Sequence, residues 1–529
     1  MKPLRWILFF VALAVSARAQ SADSKAAARA AFDGARDLFS SDLNASVAAL
    51  RKVAEQYPDF AEAHQYFILY SNVAASRAPG TDEDKKAAAE KSSKELAALY
   101  EQWAKQHPDK GIYQYALGQI YDYKDPDRSV RHYEQAVKLD PKLGNAWDML
   151  AISAEEKGDL AGSRALHRKA VDAEPDNVAL WRHLVGAWVT ADIDRAVALG
   201  LEMSQRFPEG AAGIIGYLAM RAKTIEKSRA IYELLREKFP KESVNGLPAL
   251  FSIYLQTDCA KALALAQEMV KLAPDNKVWP GLVTCAQTLI EADALIGQGK
   301  SADAVAAVDK ITLPRYGVDR RPLDLTRAKA LAAGGQTAKA YDSLLTGCIK
   351  NPNDDTLAAL RTYGAKLGKT AAQVDAELFA RRAAAAKPGV PFSLVNYATG
   401  KPVALDEFKG RVVLVNFWYP KCGPCRGEFP FLQAVLEKYQ ARGFEILAIN
   451  GHAPEDEWVM PLIKGWKLGF IPLKGTEDVV NAYKVRGFPS NFLCGPDGRI
   501  YYDPPPVNGV AAQRELELQI EALLASAKP

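Results

Sequence analysis

The sequence predicts two architectures in one chain: an all-α solenoid of paired helices, followed by an α/β domain built on a mixed central sheet. Three observations carry that expectation. Prolines recur at Pro108, Pro141, Pro175, Pro208, Pro240 and Pro274, spaced 32 to 34 residues apart, each after an amphipathic run. At Lys387-Pro388-Gly389 the Ala-rich helical period gives way to strand-like alternation. Beyond that point a continuous apolar run, Arg411 to Trp418, leads into the pair Cys422 and Cys425 at the start of a new helical pattern.

Composition sets the frame for these elements. A length of 529 residues suggests roughly three domains, or one repeat array plus one globular unit. Hydrophobic residues make up 49% and charged residues 25%, which excludes a disordered, collagen-like or polytopic membrane chain. The 67 Lys and Arg against 63 Asp and Glu leave a net charge of +4, without the broad basic footprint of a nucleic-acid binder. Six cysteines are too few for a disulfide scaffold, so each is judged by its neighbours.

The first 19 residues read as a cleavable secretory signal. Lys2 and Arg5 precede an apolar run from Trp6 to Val15, and Ala17-Arg18-Ala19 supplies a small-residue cleavage site. The run is short of the roughly 20 residues that span a bilayer. The expected compartment is therefore periplasmic or extracellular, where close thiols tend to pair.

Residues 25–385 form the predicted array. One unit reads Asn145-Ala146-Trp147, Leu150-Ala151, a Gly158-Asp159 turn, Ser163, Ala170-Val171 and Glu174-Pro175. Trp147, Leu150 and Ala151 share one helical face. Gly158 stops the first helix and the proline ends the second. Neighbouring units repeat the pattern with Tyr133, Ala136 and Pro141, and with Trp181, Leu184, Ala196 and Pro208; a looser unit ends at Pro352. On these residues the segment resembles tetratricopeptide (TPR) arrays, which implies a concave groove for a partner protein or peptide. Tyr113, Tyr115, Tyr121, Arg128, Arg131 and Trp188 are candidate lining residues, with inter-repeat core as the expected role for most of these aromatics. His64, His107, His132, His167 and His183 show no metal-ligand spacing. Cys259, Cys285 and Cys348 read as buried small residues, with a Cys259 to Cys285 staple as the alternative.

Residues 388–525 carry the chemistry. A hairpin is predicted from Phe392 to Val395 and Val403 to Leu405, then the strand to Trp418 and a helix to about Gln440. A strand from Phe444 to Asn450 follows, then helices Glu455 to Gly465 and Glu477 to Tyr483. Strands Asn491 to Cys494 and Ile500 to Tyr502 and a final helix from Ala511 complete the domain. Cys422-Gly423-Pro424-Cys425 stands where a buried strand ends and a helix opens. Unpaired N–H groups and the positive end of the helix dipole stabilise a thiolate there. Cys422 is expected to be exposed and nucleophilic, and Cys425, one turn on, to resolve a mixed disulfide. Pro424 presets the first helical turn. Zinc would need a second Cys or His pair; none stands nearby, and Cys494 and His452 are too isolated to supply one, so no metal or other cofactor is expected.

This segment resembles the thioredoxin fold, and more closely the TlpA/ResA group of exported thiol-disulfide oxidoreductases. The matching residues are Asp406 to Gly410 leading into Arg411 to Trp418, the Cys422 and Cys425 pair, Glu428-Phe429-Pro430, and Val485-Arg486-Gly487-Phe488-Pro489-Ser490. The resemblance implies that Pro489 is cis and packs against the disulfide, that Phe488 offers backbone to the substrate chain, and that Glu428 handles the proton of the buried cysteine. Two departures stand out. Lys421 replaces the tryptophan usual before the first cysteine, a cation expected to favour the Cys422 thiolate and to alter the docking surface. Asn416 stands where thioredoxin itself has a buried Asp.

The leading reading is thus an exported dithiol-disulfide oxidoreductase acting on a protein disulfide, served by an unidentified electron donor or acceptor, with the array recruiting a client or partner. An interaction scaffold with a redox-weak thioredoxin fold is the alternative, and the intact cysteine pair argues against it. A peroxiredoxin-type peroxidase would want Thr or Ser where Tyr419 stands, and copper delivery would want a longer cysteine spacing with a partnering His.

Overall fold

The computed structural model describes residue 24 and residues 26–526, apart from 123 and 315–316. The expected signal, residues 1–19, lies outside the described residues. Contacts divide the chain into two compact units, one reaching Ala154 and resuming over Ala161–Leu180, the other formed by Glu155–Leu160 and everything from Trp181 on.

Both units contain antiparallel helix pairs, a long helical array of the kind the TPR-like pattern predicts. The prolines act as expected. Helices Asp82–Gln106, Pro126–Leu139, Leu160–Ala173, Ile225–Lys238, Cys259–Leu272 and Thr337–Lys350 each end two residues before one. The residue between leaves helical geometry: His107, Asp140, Phe239, Ala273 and Asn351 all have φ near −135° and ψ between 57° and 94°. The ring of a proline crowds the preceding residue out of the helical region, which produces this common exit. Pro208 differs, since it opens the next helix, Pro208–Met220. Gly158 ends its helix in the left-handed region at φ +84°.

Within the first unit, helices Gly111–Tyr121 and Pro126–Leu139 pack so closely that a Cβ on Gly118 would lie 2.4 Å from the Tyr133 ring. Tyr133 is fully buried. The expected stripe on helix Gly144–Glu156 holds at Leu150 and Ala151, with Trp147 at its edge. Ala146, Leu150 and Ala151 are buried, whereas Trp147 is half-buried, donating its indole N–H to the Pro141 carbonyl at 3.0 Å under the Lys169 ammonium. Tyr113 and Tyr115 are core, not groove, while the Arg128 guanidinium lies 3.7 Å over the Tyr121 ring and pairs with Glu101. His167 is buried against Asp148 at 2.8 Å.

In the second unit the array runs on to helix Ala371–Ala385, opened by a Thr370–Gln373 capping box. Cys259, Cys285 and Cys348 are free, so the Cys259–Cys285 staple is not formed. The α/β domain follows. A hairpin of β1 (Ser393–Val395) and β2 (Pro402–Ala404) accompanies a five-stranded sheet of β3 (Val412–Trp418), β4 (Phe444–Asn450), β5 (Ile471–Lys474), β6 (Ser490–Cys494) and β7 (Ile500–Tyr502). Its order is β5-β4-β3-β6-β7, with β3, β4 and β5 parallel, β6 antiparallel to β3, and β7 antiparallel to β6. Strand β5 was not expected from sequence: Pro472 lies inside it, and a proline is tolerated because the strand is at the sheet edge.

Central strands β3 and β4 are buried along their whole length. One sheet face packs helices Gly423–Tyr439 and Val510–Ser526 around Leu414, Trp418, Phe429 and Leu523; the other holds Val413, Val415, Phe417 and Cys494. The last array helix adheres to the sheet edge. Arg382, 3% exposed, lies 3.7 Å over the Tyr502 ring, Phe379 stacks on Tyr501, and Lys387 exchanges two backbone hydrogen bonds with Ile500.

The array's register generates one prediction. Trp279 is fully buried and donates its indole N–H to the Val244 carbonyl, so Trp279→Ala should destabilise by about 3–5 kcal/mol. Trp147→Ala, at a half-buried site, should lose clearly less. Denaturant unfolding of the two variants checks the order, and a larger loss at Trp147 would contradict the assigned faces.

Candidate active site

Strand β3 delivers its end into the cysteine motif. After Trp418 three residues lead to Cys422, which caps helix Gly423–Tyr439 with extended backbone, its Sγ accepting the Cys425 N–H at 3.2 Å. Cys422 and Cys425 form a disulfide, their Cα atoms 5.2 Å apart. Gly423 and Pro424 face solvent. Contrary to the expected exposure, Cys422 is only 3% exposed and Cys425 is fully buried. The reason is packing, since both belong to the cluster of Leu414, Trp418 and Phe429 on the helix-covered face of the sheet.

The other expected site residues surround this pair in different ways. The Phe488–Pro489 bond is cis and Pro489 is buried. Phe488 packs against the cluster that holds both cysteines, and its ring meets Tyr419 edge-on at 5.3 Å. A Cβ on Gly451 would lie 2.5 Å from that ring, so glycine there makes room for it. The Lys421 cation differs from expectation. Its backbone N–H donates to Glu455 at 2.7 Å, while the ammonium sits 4.3 Å over the Trp458 ring and 4.0 Å from the Glu156 carboxylate. An aromatic face and an acid thus engage its charge. On the far side of the motif Arg426 pairs with Glu155 at 3.3 Å.

Glu428, one turn beyond Cys425, is fully buried. Its Oε1 accepts from Asn416 Nδ2 at 2.7 Å, and its Oε2 accepts from Asn491 Nδ2 at 3.1 Å and from the Val507 N–H at 3.0 Å. Asn416 also donates to Asn491 Oδ1 at 2.8 Å. Burial raises the Glu428 carboxyl from its ordinary 4.5 to about 6. The hydrogen bonds from Val507, Asn491 and Asn416, together with the positive charge of Arg221, limit that rise. A carboxyl raised toward neutrality one helical turn from a cysteine pair is chemically suited to proton exchange with a thiol there.

Sequence reading passed over Asn491, Val507 and Arg221. Asn491 had a usable signal. It pairs with Asn416 across β3 and β6, and a polar residue at a core-facing strand position needs a partner. Val507 contributes through its backbone, and Arg221 lies far away in the chain, so neither leaves a local mark. Cys494 is excluded from the thiol chemistry by the sheet itself. It sits in the cluster on the opposite face, and burial pushes its thiol up to about 12.

The AhpC/TSA family model matches residues 386–503. A thiol-disulfide oxidoreductase ResA of Bacillus thuringiensis subsp. konkukian is 30% identical over 128 residues, 24% of this chain and 72% of that protein. The ResA of Bacillus subtilis is 31% identical over 111 residues, 21% of this chain and 62% of that protein. Among solved structures, a putative thiol:disulfide interchange protein DsbE from Chlorobium tepidum is 29% identical, aligned over 26% of this chain and 96% of its own, with a TM-score of 0.24. A cysteine pair capping a helix, a cis-proline strand entry and a buried glutamate one turn on thus stand in a domain whose relatives are thiol-disulfide oxidoreductases, and through that domain the chain belongs to the ResA-like thiol-disulfide oxidoreductase family.

Proposed function

We propose that the chain is an exported disulfide reductase, periplasmic or secreted, in which Cys422 attacks the disulfide of a protein client and Cys425 resolves the adduct. The observation that carries this reading is the placement of Cys422 at the helix N-cap, bonded to Cys425, with the Glu428 carboxyl sealed one turn further on. Helix N-terminal N–H groups stabilise the Cys422 thiolate. On release the Cys425 thiol gives its proton to Glu428, and the resulting thiolate attacks Cys422 Sγ. The Cys422–Cys425 bond forms as the bond to the client breaks, and the client sulfur departs with the electron pair. The N-terminal pattern supports export, and an unidentified thiol partner would restore the dithiol. The array would recruit the client or a partner protein. An interaction scaffold with weak redox activity is favoured by one observation, the 3% exposure of Cys422.

The two readings separate on trapping. Cys425→Ser should accumulate a mixed disulfide through Cys422, and Cys422→Ser should accumulate none, as read by non-reducing electrophoresis and mass spectrometry of protein purified from its native envelope. A Cys425→Ser protein that captures nothing would favour the scaffold, and adducts on Cys422→Ser would reverse the roles.

Glu428 supplies a pH signature. Its folded value is raised from 4.5 to about 6, so its contribution to stability is complete below the unfolded value and is lost as pH rises through about 6, a change of about 2 kcal/mol. Glu428→Gln should flatten that slope in thermal melts while leaving client capture nearly intact and slowing release by about 100-fold, the lower end of acid–base effects. A slope unchanged in the variant would assign the titration to another group.

A further inference from the structure

The helix that carries Glu428 touches a residue that no thioredoxin-like segment supplies. Helix Pro208–Met220 of the array ends at Arg221, whose side chain is buried at 6% exposure. Its Nε donates to the Tyr217 hydroxyl at 3.0 Å, its Cζ lies 5.9 Å from the Phe431 ring, and its Nη1 is buried without a hydrogen-bond partner. The guanidinium is pressed on the catalytic helix at Gly427, where an added Cβ would lie 1.6 Å from Nη2. The adjoining Met220 carbonyl is pressed in the same way on Gly509, where an added Cβ would lie 2.5 Å from its oxygen.

These two contacts bracket one carboxyl. Gly427 precedes Glu428, and Gly509 lies two residues beyond Val507, whose N–H binds Glu428. The remaining groups facing the carboxyl, Asn416 on β3 and Asn491 on β6, are neutral. The charged side chain contributing to the field at Glu428 is Arg221, and it favours the ionised form. A buried guanidinium with an unused N–H, held at this position by two glycines, is more than a packing contact, because burying such a group unsatisfied is unfavourable unless something nearby benefits from its charge.

We propose that Arg221 is a positioning residue of the redox centre, holding the Glu428 carboxylate ionised so that it accepts the Cys425 proton when the client is released. The inference rests on the release step proposed above, in which that proton passes from Cys425 Sγ to Glu428 as the Cys422–Cys425 bond replaces the Cys422–client bond. It makes the array part of the reaction rather than a tether beside it. A fragment holding the α/β domain alone would lack this charge.

The test uses the full-length, pre-reduced chain with insulin as the disulfide client, acid-quenching single turnovers so that mixed disulfide and released thiol are counted separately. Arg221→Gln should move the ascending limb of the release rate to higher pH by about half a unit, which is about a twofold loss near pH 6 that grows to about threefold at lower pH and disappears at alkaline pH. Arg221→Lys, which keeps a cation, should restore most of it. Gly427→Ala keeps the arginine in the chain but displaces its guanidinium from the helix, and should shift the limb in the same direction; this variant decides the matter if Arg221→Gln does not fold. A release profile unshifted in Gly427→Ala and in folded Arg221→Gln, or one lowered equally at every pH, would overturn the proposal and leave Arg221 a packing residue. Failure of the underlying reading looks different: Cys425→Ser then captures no insulin whatever stands at 221.

Discussion

A carboxyl sealed inside a protein must be satisfied or neutralised, and much of the redox domain is arranged around doing this for Glu428. Its two oxygens need three donors, and these arrive from three separate pieces of chain: β3 with Asn416, β6 with Asn491, and the segment after β7 with the Val507 N–H. Antiparallel pairing of β3 with β6 sets Asn416 directly opposite Asn491. A slip of β6 by one residue would turn Asn491 to the other face, away from Asn416. The same register places Cys494 away from the dithiol, which keeps a third thiol out of the exchange.

The array is built on a different physical rule. Its helices bury little until they stack, so small residues and regular exits do the work that a large core does elsewhere. Gly118 lets Tyr133 approach within contact of the neighbouring helix backbone, and the recurrent prolines set a common turn geometry from one pair to the next. Such regularity fixes where each helix end lies. One end carries Arg221 to the catalytic helix, and another carries Arg382 beneath the Tyr502 ring. Both arginines are buried, and each keeps a nitrogen without a partner; at Arg382 burial lowers the guanidinium to about 10.

Reading the residues in order went far where the signal was local. The helix-ending prolines, the Gly158 turn, the break at Lys387 and most strands of the redox domain were legible because each depends on a few adjacent side chains. The cysteine pair, Glu428 and Phe488-Pro489 were legible as a constellation. Trp147 was expected deeper than it lies, because a large aromatic is the strongest hydrophobic signal in its helix; Leu150 and Ala151 of the same stripe are buried, as is Ala146, while Trp147 packs at the edge of that core. Strand β5 escaped notice because Pro472 speaks against a strand unless the strand is known to be an edge. Cys422 looked exposed because a helix start beside glycine and proline suggests solvent, and its 3% exposure comes from the packed cluster on that sheet face, which joins near neighbours such as Trp418 and Phe429 to residues far along the chain such as Val507.

By itself, then, the sequence determined the two architectures and the dithiol, since hydrophobic period, proline exclusion from helices and cysteine spacing are all short-range properties. Tertiary structure alone decided the electrostatics. Whether Glu428 is a solvated surface acid or a sealed one depends on what covers it, and the covering groups come from Asn416, Asn491, Val507 and Arg221, the last more than 200 residues away along the chain. Lys421 shows the same limit: its position beside Cys422 is written in the chain, but the Trp458 ring and the Glu156 carboxylate determine where its charge acts. Burial and charge–charge distance are properties of surfaces brought together by folding, and no window of adjacent residues contains them.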